Sequence, residues 1–577
     1  MSHQKSALVL TPLLAGLLFI SCGGPGGQPA ADLVLRNAAV YTVDGAGSWA
    51  EAVAIRDDRI VFVGAEGQVD PFIGPETKVV DLKGRMVMPS FQDSHIHPVS
   101  AGVAYQQCAL FDLEVDAGLY VKTIAGYAAT HPDLPWIVGS GWSMDAFPNA
   151  IPDKRLLDAV VSDRPIYVDS TDGHSAWVNS KALEIAGITK DTPDPVGGRI
   201  DRDPATGEPI GGLQEPAAMN LVLKHMPETT DEEREEGLRY ALHVLNGYGI
   251  TAFQDASVNL KGHDAYRSLD TYRTLERNGE LTARVVGSLW YEKDEGLDQI
   301  DRLVAAREEY MGERFRPTAV KIMQDGVMEV QTASLLEPYI GKSGARGMSM
   351  VEPETLKKAV TRLDQEGFQV HFHAIGDRAI RECLDAVEAA RSANGARDAR
   401  HHISHIQLFH PDDIPRFHQL DVIANFQPLW AYADAYITDL TIPFLGEERS
   451  KWMYPIGSLL KSGATVAFGS DWSVSTANPM EEIEVAVTRM GPDGEGGAPF
   501  LPDERIDLKD ALIAFTLNAA RVNFLEEETG SIEAGKLADL IVLDRNLFSI
   551  DSSEISETKV LLTLLGGEPV HGDLDSL

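Results

Sequence analysis

Eight short apolar runs alternate with longer stretches of helical period, and few architectures accommodate that pattern. The runs lie at Phe91–His97, Thr251–Asp255, Arg284–Leu289, Ala319–Gln324, Gln369–Ala374, His402–Ile406, Val422–Phe426 and Thr465–Asp471. Buried strands separated by helices are satisfied by a parallel sheet with crossover helices, and eight such units close into a (β/α)8 TIM barrel. Catalytic side chains in that architecture stand at the C-terminal ends of the strands. The residues that close the eight runs are therefore where chemistry is expected.

The flanks read differently. Residues 32–88 and 530–577 carry short β-rich runs with turn signals, so the two ends of the chain are expected to build one composite β-sandwich domain around the barrel domain of residues 89–529. About 150 residues separate the first two barrel runs, far more than an ordinary strand-to-helix loop holds. Residues 105–240 are accordingly read as an insertion that acts as a lid. It contains two further strand runs, Trp136–Gly141 and Pro165–Asp169, and a Gly/Pro/Asp-rich stretch, Asp191–Gly212, that suits an irregular loop or a hairpin.

Residues 1–22 read as a signal peptide, with Lys5 ahead of the apolar stretch Ala7–Ile20. Ser21-Cys22 at its end suits a bacterial lipoprotein signal, which makes the expected product an exported periplasmic or cell-surface protein anchored through lipidated Cys22. An ordinary cleaved signal with a chance cysteine is the alternative. Residues 23–31, rich in glycine, read as a tether. With 87 acidic side chains against 50 Lys plus Arg, the formal net charge of −37 repels phosphate backbones and excludes nucleic acid as an expected partner. Membrane contact is expected only through the anchor, and the oligomeric state stays open. The remaining cysteines, Cys108 and Cys383, are expected to be packed thiols.

Asp93-Ser94-His95-Ile96-His97 closes the first run. Histidines at i and i+2 of a strand project from one face, so His95 and His97 can share a cation. His373, His405 and Asp471 stand at the ends of three later runs. Imidazoles with a carboxylate suit Zn²⁺ or another borderline divalent ion, one or two in number, and leave a position for water.

These residues resemble the amidohydrolase superfamily, and in detail its family 3, the YtcJ-like proteins and N-substituted formamide deformylases. The marks are Pro89-Ser90-Phe91-Gln92-Asp93-Ser94-His95-Ile96-His97, Asp172-Gly173-His174, His373-Ala374-Ile375-Gly376-Asp377, Gly469-Ser470-Asp471 and the Gly530–Asp539 stretch. The resemblance implies that His95 and His97 hold a first metal and His373 and His405 a second, with Asp471 both a ligand and the proton carrier. It implies that Lys321 is N-carboxylated into a bridging carbamate. A salt-bridged structural lysine is the alternative there, and Glu215 is the competing bridge. Two features depart from the pattern: Ser90 stands where glycine is usual, and Val327–Thr332 replaces a run of small residues.

The activity so implied is hydrolysis of carbon–nitrogen bonds in small molecules, such as amides, formamides or cyclic imides, by a metal-activated water whose proton Asp471 takes and passes on. His174, in the insertion, is the candidate for stabilising the oxyanion or binding substrate, with a structural role as the alternative. Trp142, Trp177 and Trp472 are expected either in the core or as walls of the pocket. His371, His401 and His402 read as supporting or packing residues. A deaminase or esterase on the same site, or a lipid-anchored non-catalytic binding protein, are the competing readings.

Overall fold

A computed structural model describes residues 29–111, 113–261 and 267–577. The signal-peptide and Cys22 reading falls outside the described residues. Eight parallel strands form the central sheet: β1 (Phe91–Ile96), β2 (Ile250–Val258), β3 (Arg284–Trp290), β4 (Phe315–Met323), β5 (Gln369–Ala374), β6 (His402–His405), β7 (Ile423–Phe426) and β8 (Val466–Phe468). Each pairs with its neighbour in sequence, and the sheet curls until β8 returns to β1. Strands covered on both sides read as near-continuous apolar runs, which is why the sequence announces them.

The seam between β8 and β1 is made by loop atoms rather than by a ladder. The Asp471 amide donates to the His95 carbonyl at 2.8 Å, and the His97 amide donates to the Trp472 carbonyl at 3.0 Å. The eighth strand is shorter than its apolar run, because the chain leaves the sheet at Gly469. A Cβ on Gly469 would lie 2.5 Å from the His95 nitrogen, so only glycine lets the two strand ends meet. The Asp93 carboxylate then binds both sides, accepting from the amides of His95 (2.9 Å) and Ser470 (3.1 Å).

Both ends of the chain enter one six-stranded sheet. Its Met86–Pro89 strand pairs in parallel with Ala39–Tyr41 and antiparallel with Leu540–Leu543. A four-stranded sheet faces it, and Leu33, Leu35, Val53 and Ile55 pack against Val87, Leu540, Val542 and Leu562 between the two. Arg284 of β3 fastens this sandwich to the barrel through a two-pronged contact with buried Asp539, at 2.9 and 3.2 Å.

Between β1 and β2 the chain builds a six-stranded mixed sheet of its own. Two of its strands, Ile137–Trp142 and Ile166–Ser170, fall on the expected runs. The Gly/Pro/Asp-rich stretch is a hairpin, with Arg199–Arg202 antiparallel to Pro209–Gln214. The helices that enter and leave this region, Pro98–Gln106 and Asp231–Gly247, cross where Gly102 meets Gly237, so closely that neither position has room for a Cβ.

Candidate metal centre

The group starts from His95. Its Nδ1 lies 2.9 Å from the Ser404 hydroxyl and 2.8 Å from His371 Nε2, and His371 Nδ1 in turn lies 3.0 Å from the Ser288 hydroxyl. A proton on each Nδ1 satisfies this chain and leaves the His95 Nε2 lone pair facing the barrel mouth. Burial, with Lys321 beside it, pushes His95 down to about 3, so the ring is neutral and free to ligate.

Asp471 faces it from across the seam. Its Oδ1 lies 3.3 Å from His95 Nε2 and 3.0 Å from His97 Nε2. That oxygen is buried and makes no hydrogen bond of proper geometry. The three atoms lie within 4.8 Å of one another. An orphaned carboxylate oxygen wedged between two imidazole nitrogens is the donor set a borderline divalent ion needs, and the residues fit such an ion. Burial opposes the charge on Asp471, but His95 and His97 hold it well below the usual carboxylate range. Asp471 and His405 both take a left-handed backbone, with φ of 56° and 81°, which turns the side chains at these two strand ends toward the mouth.

The other expected residues stand at graded distances. Lys321 on β4 puts its Nζ 3.4 Å from His95 Nε2, and burial pushes its amine down to about 7. His405 directs Nδ1 to Gln427 Oε1 at 2.8 Å and lies 3.8 Å from Asp471 Oδ2. His373 is 4.5 Å from the His405 ring, but its Nε2 turns toward the Gly326 carbonyl (3.4 Å) and Asp325 (3.8 Å). His95, His97 and Asp471 therefore form the tight set, and His373 and His405 flank it.

His174 reaches the cavity from the insertion, its Nδ1 2.8 Å from Glu215 Oε2. Burial works against its charge, yet Glu215 and Asp172 hold it up to about 9, so it is an imidazolium at neutral pH. Glu215 is fully buried, and its other oxygen accepts from the Thr332 hydroxyl. Its carboxylate thus serves His174 and is not part of the tight set.

A cavity of about 1020 Å³ opens over these groups. The tryptophans named from the sequence do not wall it. Trp142 and Trp177 are fully buried and spend their indole N–H groups on the carbonyls of Val168 (2.9 Å) and Asp153 (3.1 Å). Trp472 stacks on Tyr105 beside the seam. Other aromatic side chains line it, among them Trp290, Trp430, Tyr436 and Tyr454. Trp430 stacks on the His405 ring at 5.4 Å. Sequence reasoning also passed over Ser404, Gln427 and Asp325. Of these, only Ser404 had a visible signal, two positions after His402 on the same strand face.

The amidohydrolase family profile matches residues 78–571, and the chain belongs to that family. It is a metal-dependent hydrolase acting on carbon–nitrogen bonds. It is 34% identical to Protein LONG AFTER FAR-RED 3 of Arabidopsis thaliana, over 94% of this chain and 92% of that one. It is 29% identical to the N-substituted formamide deformylase of Arthrobacter pascens, over 93% of this chain and 97% of that one. Among solved structures, a metal-dependent hydrolase from Pyrococcus horikoshii superposes with a TM-score of 0.70 at 26% identity, covering 90% of this chain and 99% of its own.

Proposed function

We propose that the chain hydrolyses an N-substituted amide, formamide or cyclic imide of a small molecule, using one or two divalent ions, Zn²⁺ by the chemistry of the donors. The observation that carries this reading is the unpartnered Asp471 Oδ1 between His95 Nε2 and His97 Nε2 at the floor of a deep cavity. An ion held there supplies Lewis acidity toward a carbonyl and acidifies water.

The protein's own groups do the rest. Asp471, held ionised, accepts the proton of the attacking water and returns it to the leaving nitrogen. The His174 imidazolium, fixed by Glu215, donates to the carbonyl oxygen as negative charge develops on it. His373 and His405, which flank that set, are the residues that would hold a second ion. Lys321 supports a bridge between the two, because an amine pushed down to about 7 is available as the free base that combines with carbon dioxide, releasing a proton. Glu215 is the weaker candidate for that bridge, since both its oxygens are engaged.

The test is a hydrolysis screen of N-formyl, N-acyl and cyclic imide compounds with the zinc-loaded protein. Release of amine or acid from at least one class is expected. Turnover confined to esters or to ring amino groups, or no turnover by a protein that holds its ion, overturns the assignment.

A further inference from the structure

The stretch Val327–Thr332, where the resemblance leads to small side chains, carries Glu329 into the cavity. Glu329 is only 8% exposed. Its Oε1 is approached at 3.4 Å by Gln407 Nε2 and by Thr441 Oγ1, both longer than an effective hydrogen bond. Besides these two side chains, only its own backbone amide bears on the carboxylate as a donor among the described residues. Burial, with Asp172 and Asp434 adding to it, pushes Glu329 up to about 7, so the buried carboxylate takes up a proton unless a cation meets it.

Its surroundings add negative charge rather than remove it. Asp172 and Asp434 line the same cavity, and both bear on Glu329. Asp172 is offset by His174, but Asp434 accepts from the Ile437 amide, at 2.8 Å, and from its own backbone amide, with no cationic partner among the described residues, and feels Asp145 and Glu495 besides. Neither Glu329 nor Asp434 is in an ion pair among the described residues. The basic side chains in the lining are spent elsewhere: the His174 imidazolium is paired with Glu215, Lys321 stands against His95, and Arg234 donates to the Thr229 carbonyl. Trp430, Tyr436 and Tyr454 line the same cavity, and aromatic faces attract cations.

We propose that Glu329 and Asp434, with these aromatic rings, form a subsite for a positively charged amino group of the substrate. Resting on the hydrolase reading above, this narrows the substrate to an amide that carries an ammonium a short chain away from the bond that is cut. The ammonium supplies Glu329 and Asp434 with the countercharge that no protein cation supplies, and the rings cover the alkyl groups around it. Glu329 then sets specificity and takes no part in bond breaking.

The test is calorimetric binding of 2-phenylethylammonium and its near-isosteric neutral counterpart, 2-phenylethanol, to the zinc-loaded full chain. The ammonium is expected to bind at least tenfold more tightly, and Glu329→Gln is expected to remove most of that preference. Equal affinities in the wild type overturn the proposal. So does a preference that survives Glu329→Gln, since it then belongs to another site, such as the ion itself. Should Glu329→Gln fail to fold by circular dichroism, Asp434→Asn replaces it, and an undiminished preference there overturns the proposal. Because the readout is binding, the two readings separate: preference without hydrolysis of any compound counts against the hydrolase assignment alone, and hydrolysis without preference against the subsite alone.

Discussion

Asp471 donates its backbone amide to the carbonyl oxygen of His95 across 2.8 Å while its carboxylate stands against the His95 ring, so the seam that closes the barrel also sets the spacing of the metal-binding atoms. Mutations at this pair separate ligation from proton transfer. Asp471→Asn keeps an oxygen for the ion but cannot take a proton. It is expected to retain most metal by elemental analysis and to lose about a hundredfold or more in kcat. Loss of the metal makes ligation the residue's main role, and near-normal turnover places the base elsewhere.

The chain from Ser288 through His371 to His95 fixes which nitrogen of His95 carries the proton. His371→Phe keeps the volume and cuts the chain. It is expected to weaken the ion by roughly ten- to a hundredfold, measured by competition with a chromogenic chelator, the usual cost of losing a ligand's outer partner. Unchanged affinity would show that Ser404 alone orients the ring.

His174 carries a pH signature. Its pKa is raised to about 9, so the donor is present below that value and is lost as pH rises through it. The rate is expected to fall on the alkaline side near pH 9. His174→Gln should lower kcat/KM and remove that limb of the profile, and an identical limb in the variant sinks the assignment.

Asp364 holds a remote structural cluster. The Val370 amide donates to His401 Nδ1 at 3.0 Å, so His401 stays neutral and its Nε2–H points at Asp364, 3.2 Å away. Burial opposes the charge on Asp364, but His401, Asn394 and Arg397 hold its carboxyl well below the usual value of 3.8. A depressed carboxyl contributes stability that is complete above its unfolded pKa and is lost as pH falls toward its folded one. The urea midpoint of Asp364→Asn should therefore lie below that of the wild type by a constant amount from pH 8 to 5, and the gap should shrink below about pH 4. A gap as wide at pH 3 as at pH 7 would show that the loss is one of packing.

For the N-terminal segment, the anchor reading predicts that Cys22→Ala moves the protein from the membrane fraction to the soluble one, because a lipidated cysteine would be the attachment. Membrane association that persists in the variant removes that reading.

The barrel was legible because its strands are buried on both faces, which leaves an apolar run, and because each functional strand ends in a residue that does not belong in a core. His95, His97 and Asp471 were legible for the same reason. Trp142 and Trp177 took the core alternative, which the sequence had left open because an indole in a pocket wall and an indole donating to a buried carbonyl look alike in one dimension. Trp430 and Tyr436 went unread because they sit in short irregular helical turns after β7, where no period marks a wall. Glu329 stood out only as a departure from a family pattern. Its meaning depends on Asp434, more than a hundred positions away.

The pairing of Met86–Pro89 with Leu540–Leu543 ties assembly to the order in which the polypeptide is made. Until the last segment emerges from the ribosome, the earlier strand has one edge with no partner, and the contact that completes it, Pro89 with Leu540, joins residues far apart along the chain. Long-range pairings of this kind form late and leave open edges that invite association with other chains in the meantime. Truncation ahead of Leu540 should therefore harm yield and solubility, although the barrel and every metal-binding residue would still be encoded.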